Sequence, residues 1–199
     1  MTETVTAAIL VIGDEILSGR TKDKNIGYIA EYMTNIGVDV REVRVVPDVE
    51  EEIVSTLNHL RNRYTYVFTT GGIGPTHDDI TADCVAKAFG VSIDVDPRAR
   101  ALLLTRIAEK DLNEARLRMA RIPAGADLIL NKVSAAPGFR IGTISVSPKT
   151  RAVAWGDFWT CCSKRSGRVV SSIGCWVWLK ASMTVVRSTS AVRGIARRG

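Results

Sequence analysis

The stretch YTYVFTTGGIGPTHDDITADCVAKAFG, residues 64–90, contains the clearest indication of the fold class. Tyr64–Thr70 is rich in aromatic and β-branched residues, which is typical of a strand. Three glycines and a proline follow within five positions, and residues 78–90 then have the spacing of a helix that stops at Gly90. A strand, a tight turn and a helix in this order predict one unit of an α/β fold.

The same alternation of strands and helices runs through residues 1–142. Ala7–Ile12 is an apolar run of the kind found in strands buried on both faces, and Gly13 ends it. The other predicted strands are 38–46, 126–131 and 139–146, and the other predicted helices are 25–37, 48–63 and 97–120, the last in two pieces. This order predicts a mostly parallel sheet with helices on both faces.

In a sheet of this kind, ligands bind beyond the carboxyl ends of the parallel strands. Three segments leave predicted strands at that edge: the loop GDEILSGR at 13–20, the pair Pro47–Asp48, and the loop TTGGIGPTHDD at 69–79. Thr69 and Thr70 end the third strand, where one hydroxyl can reach a ligand. We therefore expect the functional site where these segments meet.

The glycines at 71, 72 and 74 allow a positive φ and a close approach of another group to the backbone. Because a helix follows, its first N–H groups are suited to bind a phosphate or a carboxylate. The spacing matches neither the Walker loop nor the G-x-G-x-x-G fingerprint. The structural alternative is a tight turn that lets the helix pack closely on the sheet.

Two adjacent aspartates stand beside this predicted anion site. Asp79 has a structural explanation, because Thr76 and Asp79 have the spacing of a helix capping box. Two acids would repel a bound anion unless a divalent cation lay between them. The sequence therefore predicts Mg²⁺ or a similar ion at Asp78 and Asp79, shared with the phosphates of the ligand.

Three further acids follow the first two predicted strands. Asp14, Glu15 and Asp48 each have a simpler explanation as a helix cap or a solvent-exposed acid, and Asp48 is suited to cap the helix predicted at 48–63. What favours a functional role is their expected convergence with the glycine turn on one edge of the sheet.

Charge and composition limit the other functional classes. The chain has a formal net charge of +6, but residues 143–199 hold ten of the 27 basic residues and one acid, Asp157. Residues 1–142 therefore carry a net charge of about −3, which argues against a nucleic-acid-binding body. The N-terminus lacks the features of a signal peptide, and no uncharged apolar run reaches membrane-spanning length, so we expect a cytoplasmic protein.

Four segments together resemble the MoaB/Mog-type molybdopterin-binding domain, and most of all its branch in competence/damage-inducible protein A (CinA). They are VIGDEILSGRTKDKN at 11–25, VVPD at 45–48, TTGGIGPTHDDIT at 69–81 and NKVSAAPGF at 131–139. The resemblance covers residues 6 to 142 and implies a three-layer α/β/α sandwich, often trimeric. After Phe139 the chain departs from the family pattern, which continues into a Pro-Gly-Val-Pro-like loop and a final helix.

The resemblance also implies a function and a set of site residues. Mog-type members bind molybdopterin and adenylylate it with Mg-ATP, whereas CinA-type domains are associated with metal-dependent hydrolysis of ADP-ribose. A pterin or nucleotide carrier without turnover is a third alternative. Asp48 and Asp79 match the catalytically important acids of the family. The expected ligand and phosphate contacts are Gly13, Asp14, Glu15, Ser18, Thr70, Gly71, Gly72, Gly74, Pro75, Thr76, Asp78 and Thr81.

Residues 143–199 form a second region of unusual composition. They contain all four tryptophans and three of the four cysteines, without a persistent helix or strand period. Three interpretations stay open: a basic tail that binds nucleic acid or lipid, a poorly ordered extension, and out-of-frame translation of the family's usual C-terminal end, which the abrupt change favours. Cys161 and Cys162 are adjacent and have no histidine nearby, so we predict neither a structural zinc nor a disulfide.

Overall fold

The computed structural model of the chain describes residues 4–131 and 136–147. A six-stranded sheet forms the centre, with the strand order β2-β1-β3-β8-β7-β6. Its strands are β1 (Thr6–Ile12), β2 (Asp39–Val46), β3 (Tyr66–Thr70), β6 (Asp127–Ile129), β7 (Gly138–Ile141) and β8 (Ile144–Ser147). β2, β1, β3 and β8 run parallel, and β6 and β7 add antiparallel pairs at one side. The prediction of a mostly parallel α/β sheet is confirmed.

Six α-helices are present in the described part of the chain. They are α1 (Asp14–Leu17), α2 (Asn25–Asn35), α3 (Glu50–Arg63), α4 (Thr81–Phe89), α5 (Pro97–Leu104) and α6 (Glu114–Arg118). A 3₁₀ turn at Glu109–Asp111 lies between α5 and α6, so the predicted helix 97–120 is divided into three pieces instead of two. The two short strands β4 (Ile93–Val95) and β5 (Arg121–Pro123), which were not predicted, pair antiparallel in a separate sheet.

The helices cover both faces of the central sheet, as expected for a three-layer sandwich. Alternate residues of β1 point to opposite faces, so Leu10 packs in the cluster of α3, α4 and α5, and Ile9 packs in the cluster of α2. Both side chains are fully buried, which explains why β1 is a nearly continuous apolar run.

Local sequence signals account for the ends of several helices. α3 begins with three glutamates and has Arg61 and Arg63 in its last turn, which matches the polarity of the helix dipole. Asp96 caps α5 by accepting from the N–H groups of Arg98 and Ala99, with Pro97 in the first helical turn.

The hairpin of β7 and β8 lies across the predicted domain boundary at residue 142. The stretch 139–146, predicted as one strand, is two antiparallel strands with Gly142 in the turn at φ 54°. β8 also pairs with β3, so residues up to Ser147 belong to the central sheet. The tryptophans and the cysteine pair of the predicted tail lie outside the described residues. Within the described segments, no helix is long and apolar enough to span a bilayer.

Candidate functional site

The carboxyl ends of the three neighbouring parallel strands β2, β1 and β3 lie side by side. Ile12 is in register with Val46 of β2, and Val11 is in register with Thr70 of β3. The loops that follow these strands therefore start within a few ångströms of one another. The predicted meeting of three segments at one edge is present in the structure.

The loop after β1 turns at once into the four-residue helix α1, which the sequence did not predict. The N–H of Gly13 donates to the carbonyl of Val46 at 3.1 Å, and the N–H of Asp14 donates to Oδ2 of Asp48 at 3.0 Å. Asp48, which lies in the connection that follows β2, thus caps the first turn of α1. The expectation that Asp48 caps its own helix is wrong, because α3 has Val49 at its N-cap position and no side-chain cap.

The glycine turn after β3 is shaped by two close approaches. Gly71 has φ 105°, and a Cβ there would lie 1.9 Å from the carbonyl oxygen of Ile12. Gly72 has φ 59°, and a Cβ there would lie 2.2 Å from Oγ1 of Thr81, which itself donates to the carbonyl of Gly71 at 3.0 Å. Packing against β1 and α4 therefore accounts for both glycines, and their contact with a ligand stays a prediction.

The predicted capping contact exists, but it lies before the helix. The N–H of Thr76 donates to Oδ2 of Asp79 at 3.0 Å, and the Thr76 hydroxyl donates to the same oxygen. α4 begins only at Thr81, whose N–H bonds to the carbonyl of Gly72 at 3.1 Å, so the predicted helix start at 78 is wrong. The pair closes the loop 76–79, and a Cβ at Gly74 would lie 2.4 Å from Oδ2 of Asp79.

An open cleft of about 550 Å³ lies at this edge of the sheet. Four acids predicted from the sequence line it together with two residues that were not predicted: Asp14, Glu15, Asp48 and Asp78, with Arg20 and Thr21. The structure therefore brings the acids of all three strand connections to one cavity.

The acids of the cleft influence one another electrostatically. The pKa of Asp48 is raised above its ordinary value, first because the side chain is partly buried and then because Asp14, Asp78 and Asp79 repel its charge. The N–H of Asp14 opposes these effects. The pKa of Asp78 is lowered, chiefly by the Thr76 hydroxyl and also by the charge of His77. The surroundings therefore disfavour the charged form of Asp48 and favour that of Asp78.

The remaining predicted contacts have different surroundings. Asp79, Gly72 and Gly74 border a separate cavity of about 20 Å³. Thr70 is buried and its hydroxyl accepts from Nδ2 of Asn25 at 3.1 Å, and Thr81 is fully buried. Pro75 and Thr76 are exposed in the loop before α4.

The predicted metal residues are tested by the donors around them. In the described part of the chain, no group of three or more His, Cys, Asp and Glu side chains is close enough to hold a metal ion. The carboxylates of Asp78 and Asp79 are the oxygen donors that Mg²⁺ prefers. The Mg²⁺ site stays a prediction, because Asp78 lines the open cleft, whereas Asp79 borders the separate cavity and its Oδ2 accepts from the N–H of Thr76.

Sequence reasoning missed Arg20, Thr21 and Asn25. Arg20 and Thr21 directly follow the predicted loop acids, and Arg20 is the last residue of the quoted loop at 13–20. The signal for Arg20 is its charge, because it is a basic residue in a loop that otherwise contributes acids to the ligand-binding edge of the sheet. Asn25 carries no such signal, because its bond to Thr70 joins residues 45 positions apart.

The mostly parallel six-stranded sheet with helices on both faces is the fold of MoaB/Mog-type domains. The family described as "Probable molybdopterin binding domain" matches residues 8–154, and this chain belongs to it.

Curated relatives match the chain over about half of their own length. A protein of Pyrobaculum calidifontis is 38% identical over 135 residues, which are 67% of this chain and 52% of the relative. A protein of Sulfurisphaera tokodaii is 38% identical over 138 residues, or 68% of this chain and 52% of the relative.

Solved structures place the fold in the same group. The protein CinA of Thermoplasma acidophilum, whose function is unknown, is 30% identical with a TM-score of 0.72, and the match covers 80% of this chain and 98% of that one. The tungsten cofactor synthesizing protein MoaB of Pyrococcus furiosus is 18% identical with a TM-score of 0.52, covering 82% and 94%, and shows the fold alone. The identification of a MoaB/Mog-type domain close to CinA is confirmed.

Proposed function

We propose that this chain binds molybdopterin, a phosphorylated pterin, in the open cleft at the carboxyl ends of β1, β2 and β3, as part of molybdenum cofactor biosynthesis. The family supports a ligand of the molybdopterin type. The cleft supports its position, because parallel α/β sheets bind ligands at this edge.

The observation that carries the proposal is the set of unbalanced acids in the cleft. Asp14, Asp48 and Asp78 have no ion-pair partner among the described residues, although they line one cavity. Burying Asp48 beside other acids costs stability, as its raised pKa indicates, although Arg20 lines the same cleft without forming an ion pair with a described residue. A ligand that supplies hydrogen-bond donors or brings a cation offsets this cost.

The two ends of a phosphorylated pterin need different partners. The amino and N–H groups of the pterin ring are donors, and carboxylates such as those of Asp14 and Asp48 accept from them. The phosphate needs donors and positive charge. We place Mg²⁺ at Asp78 and Asp79, where it would neutralise the phosphate beside the acids.

A binding assay tests this function. A pterin with a terminal phosphate, prepared from molybdopterin, is titrated with the chain and followed by pterin fluorescence. We expect Asp48→Asn together with Asp14→Asn to weaken binding by about 10-fold to 100-fold, because charge-assisted hydrogen bonds are lost. Glu31→Gln, an exposed acid on α2 outside the cleft, is the matched control. A wild-type chain that leaves the pterin unbound contradicts the proposal.

Addition of ATP and Mg²⁺ to the same mixture distinguishes an adenylyltransferase from a carrier. Release of pyrophosphate and formation of an adenylylated pterin support the Mog-type reaction. Tight binding without a product supports a carrier. The trimer that the resemblance implies stays a prediction, and sedimentation velocity of the same sample tests it.

A second candidate is metal-dependent hydrolysis of ADP-ribose, the activity that the resemblance associates with CinA-type domains. Two observations favour it: the likeness to CinA has the higher TM-score, and the raised pKa of Asp48 suits a group that accepts a proton from water. Water would attack one phosphorus of the pyrophosphate, and AMP and ribose 5-phosphate would result.

The chain is incubated with ADP-ribose and a divalent metal, and AMP is measured. We expect Asp79→Asn to abolish AMP formation while circular dichroism shows an intact fold. Turnover by that variant at the wild-type rate would remove Asp79 from the mechanism.

A further inference from the structure

We propose that Arg20 is the residue of the cleft that binds the ligand's phosphate and makes the site select phosphorylated over dephosphorylated ligands. This inference rests on the proposed binding function, and it assigns a role to a residue that the sequence patterns did not single out. Arg20 lies in the loop between α1 and α2 and lines the open cleft with Asp14, Glu15, Asp48 and Asp78.

The loop that carries Arg20 is fixed by hydrogen bonds on both sides of it. The N–H of Gly19 donates to the carbonyl of Ile16 at 3.1 Å, and the N–H of Thr21 donates to the carbonyl of Glu15 at 2.9 Å. The side chain is oriented as well, because Nε of Arg20 donates to Oγ of Ser18 at 2.9 Å. This one hydrogen bond between two exposed side chains orients the guanidinium.

Arg20 differs from seven other arginines of the described part in having no carboxylate partner, a feature that it shares with Arg61, Arg116 and Arg118. Seven arginines of the described part form ion pairs with carboxylates: Arg41, Arg44, Arg63, Arg98, Arg100, Arg121 and Arg140. Arg20 forms none with the described residues, although it shares a cavity with four acids. Since only its Nε is bonded to Ser18, both Nη groups stay available to an incoming anion.

The chemistry of the cleft requires such a group. A phosphate that enters beside Asp14, Asp48 and Asp78 is repelled by them. A guanidinium offers two parallel N–H donors that match two phosphate oxygens, which an ammonium does not. Arg20 is also the basic residue that lines this cleft among the described residues, so the local positive charge depends on it.

The experiment compares two ligands on four variants. The probes are a pterin with a terminal phosphate monoester and the same pterin after phosphatase treatment, each titrated by fluorescence. The variants are Arg20→Gln, Arg20→Lys, Ser18→Ala and the matched control Arg41→Gln, which removes an exposed arginine near the opposite end of β2. Thermal unfolding of each variant checks that the substitution leaves the fold intact.

The expected results follow from the loss of a charged, two-point contact. Arg20→Gln should weaken binding of the phosphorylated pterin by about 10-fold to 100-fold and leave the dephosphorylated pterin within about 2-fold. Arg20→Lys should show an intermediate loss of about 3-fold to 10-fold, because the charge stays and the two parallel N–H donors of the guanidinium are lost. Ser18→Ala should lose about 2-fold to 3-fold, because the hydrogen bond that orients Arg20 is removed, and Arg41→Gln should match the wild type.

The outcomes separate this inference from the proposed function. If the wild type prefers the phosphorylated pterin and Arg20→Gln keeps the same preference, the role of Arg20 is overturned and the binding function stands. If the wild type binds neither pterin, the proposed function is overturned, and the role of Arg20 with it.

Discussion

The acids near the two ends of strand β2 differ in the charges that surround them. In its first half, Asp39 pairs with Arg41 at 2.7 Å, and Glu42 pairs with Arg44 at 2.5 Å. Glu42 also accepts from the hydroxyl of Tyr64 at 2.6 Å. These contacts lower the pKa of Glu42, with the Tyr64 hydrogen bond as the largest cause and the one from Arg44 next.

Asp48, two residues beyond the other end of β2, has the reverse surroundings. Its neighbours of like charge are Asp14, Asp78 and Asp79, and burial together with their repulsion raises its pKa. The contact that opposes this is a single backbone N–H, that of Asp14. Asp48, in the connection that follows β2, therefore has no basic partner among the described residues. The acids in the first half of β2 each pair with an arginine.

This difference separates charges that serve the fold from charges held for a partner. At the first end, Asp39 and Glu42 each lie within bonding distance of an arginine, and the contacts of Glu42 favour its charged form in the folded chain. At the cleft, folding brings acids together at a cost, which natural proteins accept mainly at functional sites. The contrast between the two ends of β2 thus indicates that the cleft is a functional site, independently of the similarity of this chain to any relative.

The largest expected effect comes from the turn that builds the acidic end. Gly71→Ala places a methyl group 1.9 Å from the carbonyl oxygen of Ile12, at φ 105°. We expect it to lower the free energy of unfolding by about 3 kcal/mol or more, because the loop must move away from β1. Urea unfolding of the variant and the wild type measures this.

Gly90→Ala is the matched control for this change. Gly90 also has a positive φ, +65°, but a Cβ there meets nothing within 4 Å. The cost should be about 1 kcal/mol, which is the conformational part alone. Equal costs for the two variants would contradict the close approach of the glycine turn to β1.

Much of the acidic end could be predicted from the sequence, because its causes are local. An apolar run ended by Gly13 and an alternating run ended by Pro47 indicate the first two strands, and parallel strands carry their carboxyl ends to one edge. The order of strands and helices therefore predicts one shared cleft for Asp14, Asp48 and Asp78.

The details that sequence reasoning missed depend on contacts between distant residues. α1 starts at Asp14 because Asp48, 34 positions away, accepts from its N–H. α4 starts at Thr81 because the Thr81 hydroxyl and N–H bond to the carbonyls of Gly71 and Gly72. The periodicity of side chains contains no information on such bonds, so α1 was missed and the predicted start of α4 was displaced.

The balanced end of β2 gives a second, smaller prediction. Glu42→Gln should lower the free energy of unfolding by about 1 kcal/mol at pH 7, because hydrogen bonds to a charged group are replaced by neutral ones. The pKa of Glu42 is lowered from 4.5, so its charge stabilises the fold above that pH and the benefit is lost as the pH falls through the folded-state value. The difference between variant and wild type should therefore shrink below pH 4.5.

Urea unfolding at several pH values measures this difference. Tyr64→Phe is the companion variant, because it removes the hydroxyl that donates to Glu42 and leaves the acid in place. A loss for Glu42→Gln that is the same at pH 7 and pH 4 would show that the charge of Glu42 does not contribute.

The smallest prediction has the opposite sign and concerns the cleft. The pKa of Asp48 is raised from 3.8, so this group favours the fold only while it is protonated, and that contribution is lost as the pH rises through the folded-state value. Asp48→Asn stays neutral and keeps an oxygen that accepts from the N–H of Asp14. We expect it to raise the free energy of unfolding at pH 7 by roughly a few tenths of a kcal/mol, because solvent screens a half-buried side chain.

The same variant should lose its advantage as the pH falls towards 3.8, where the wild-type carboxyl also becomes neutral. It should also bind the phosphorylated pterin more weakly, so that stability and binding change in opposite directions. Differential scanning calorimetry between pH 4 and pH 8 checks the first effect and the pterin titration the second. A variant that is less stable than the wild type at pH 7 would mean that Asp48 is balanced like Glu42, and the contrast between the two ends of β2 would be lost.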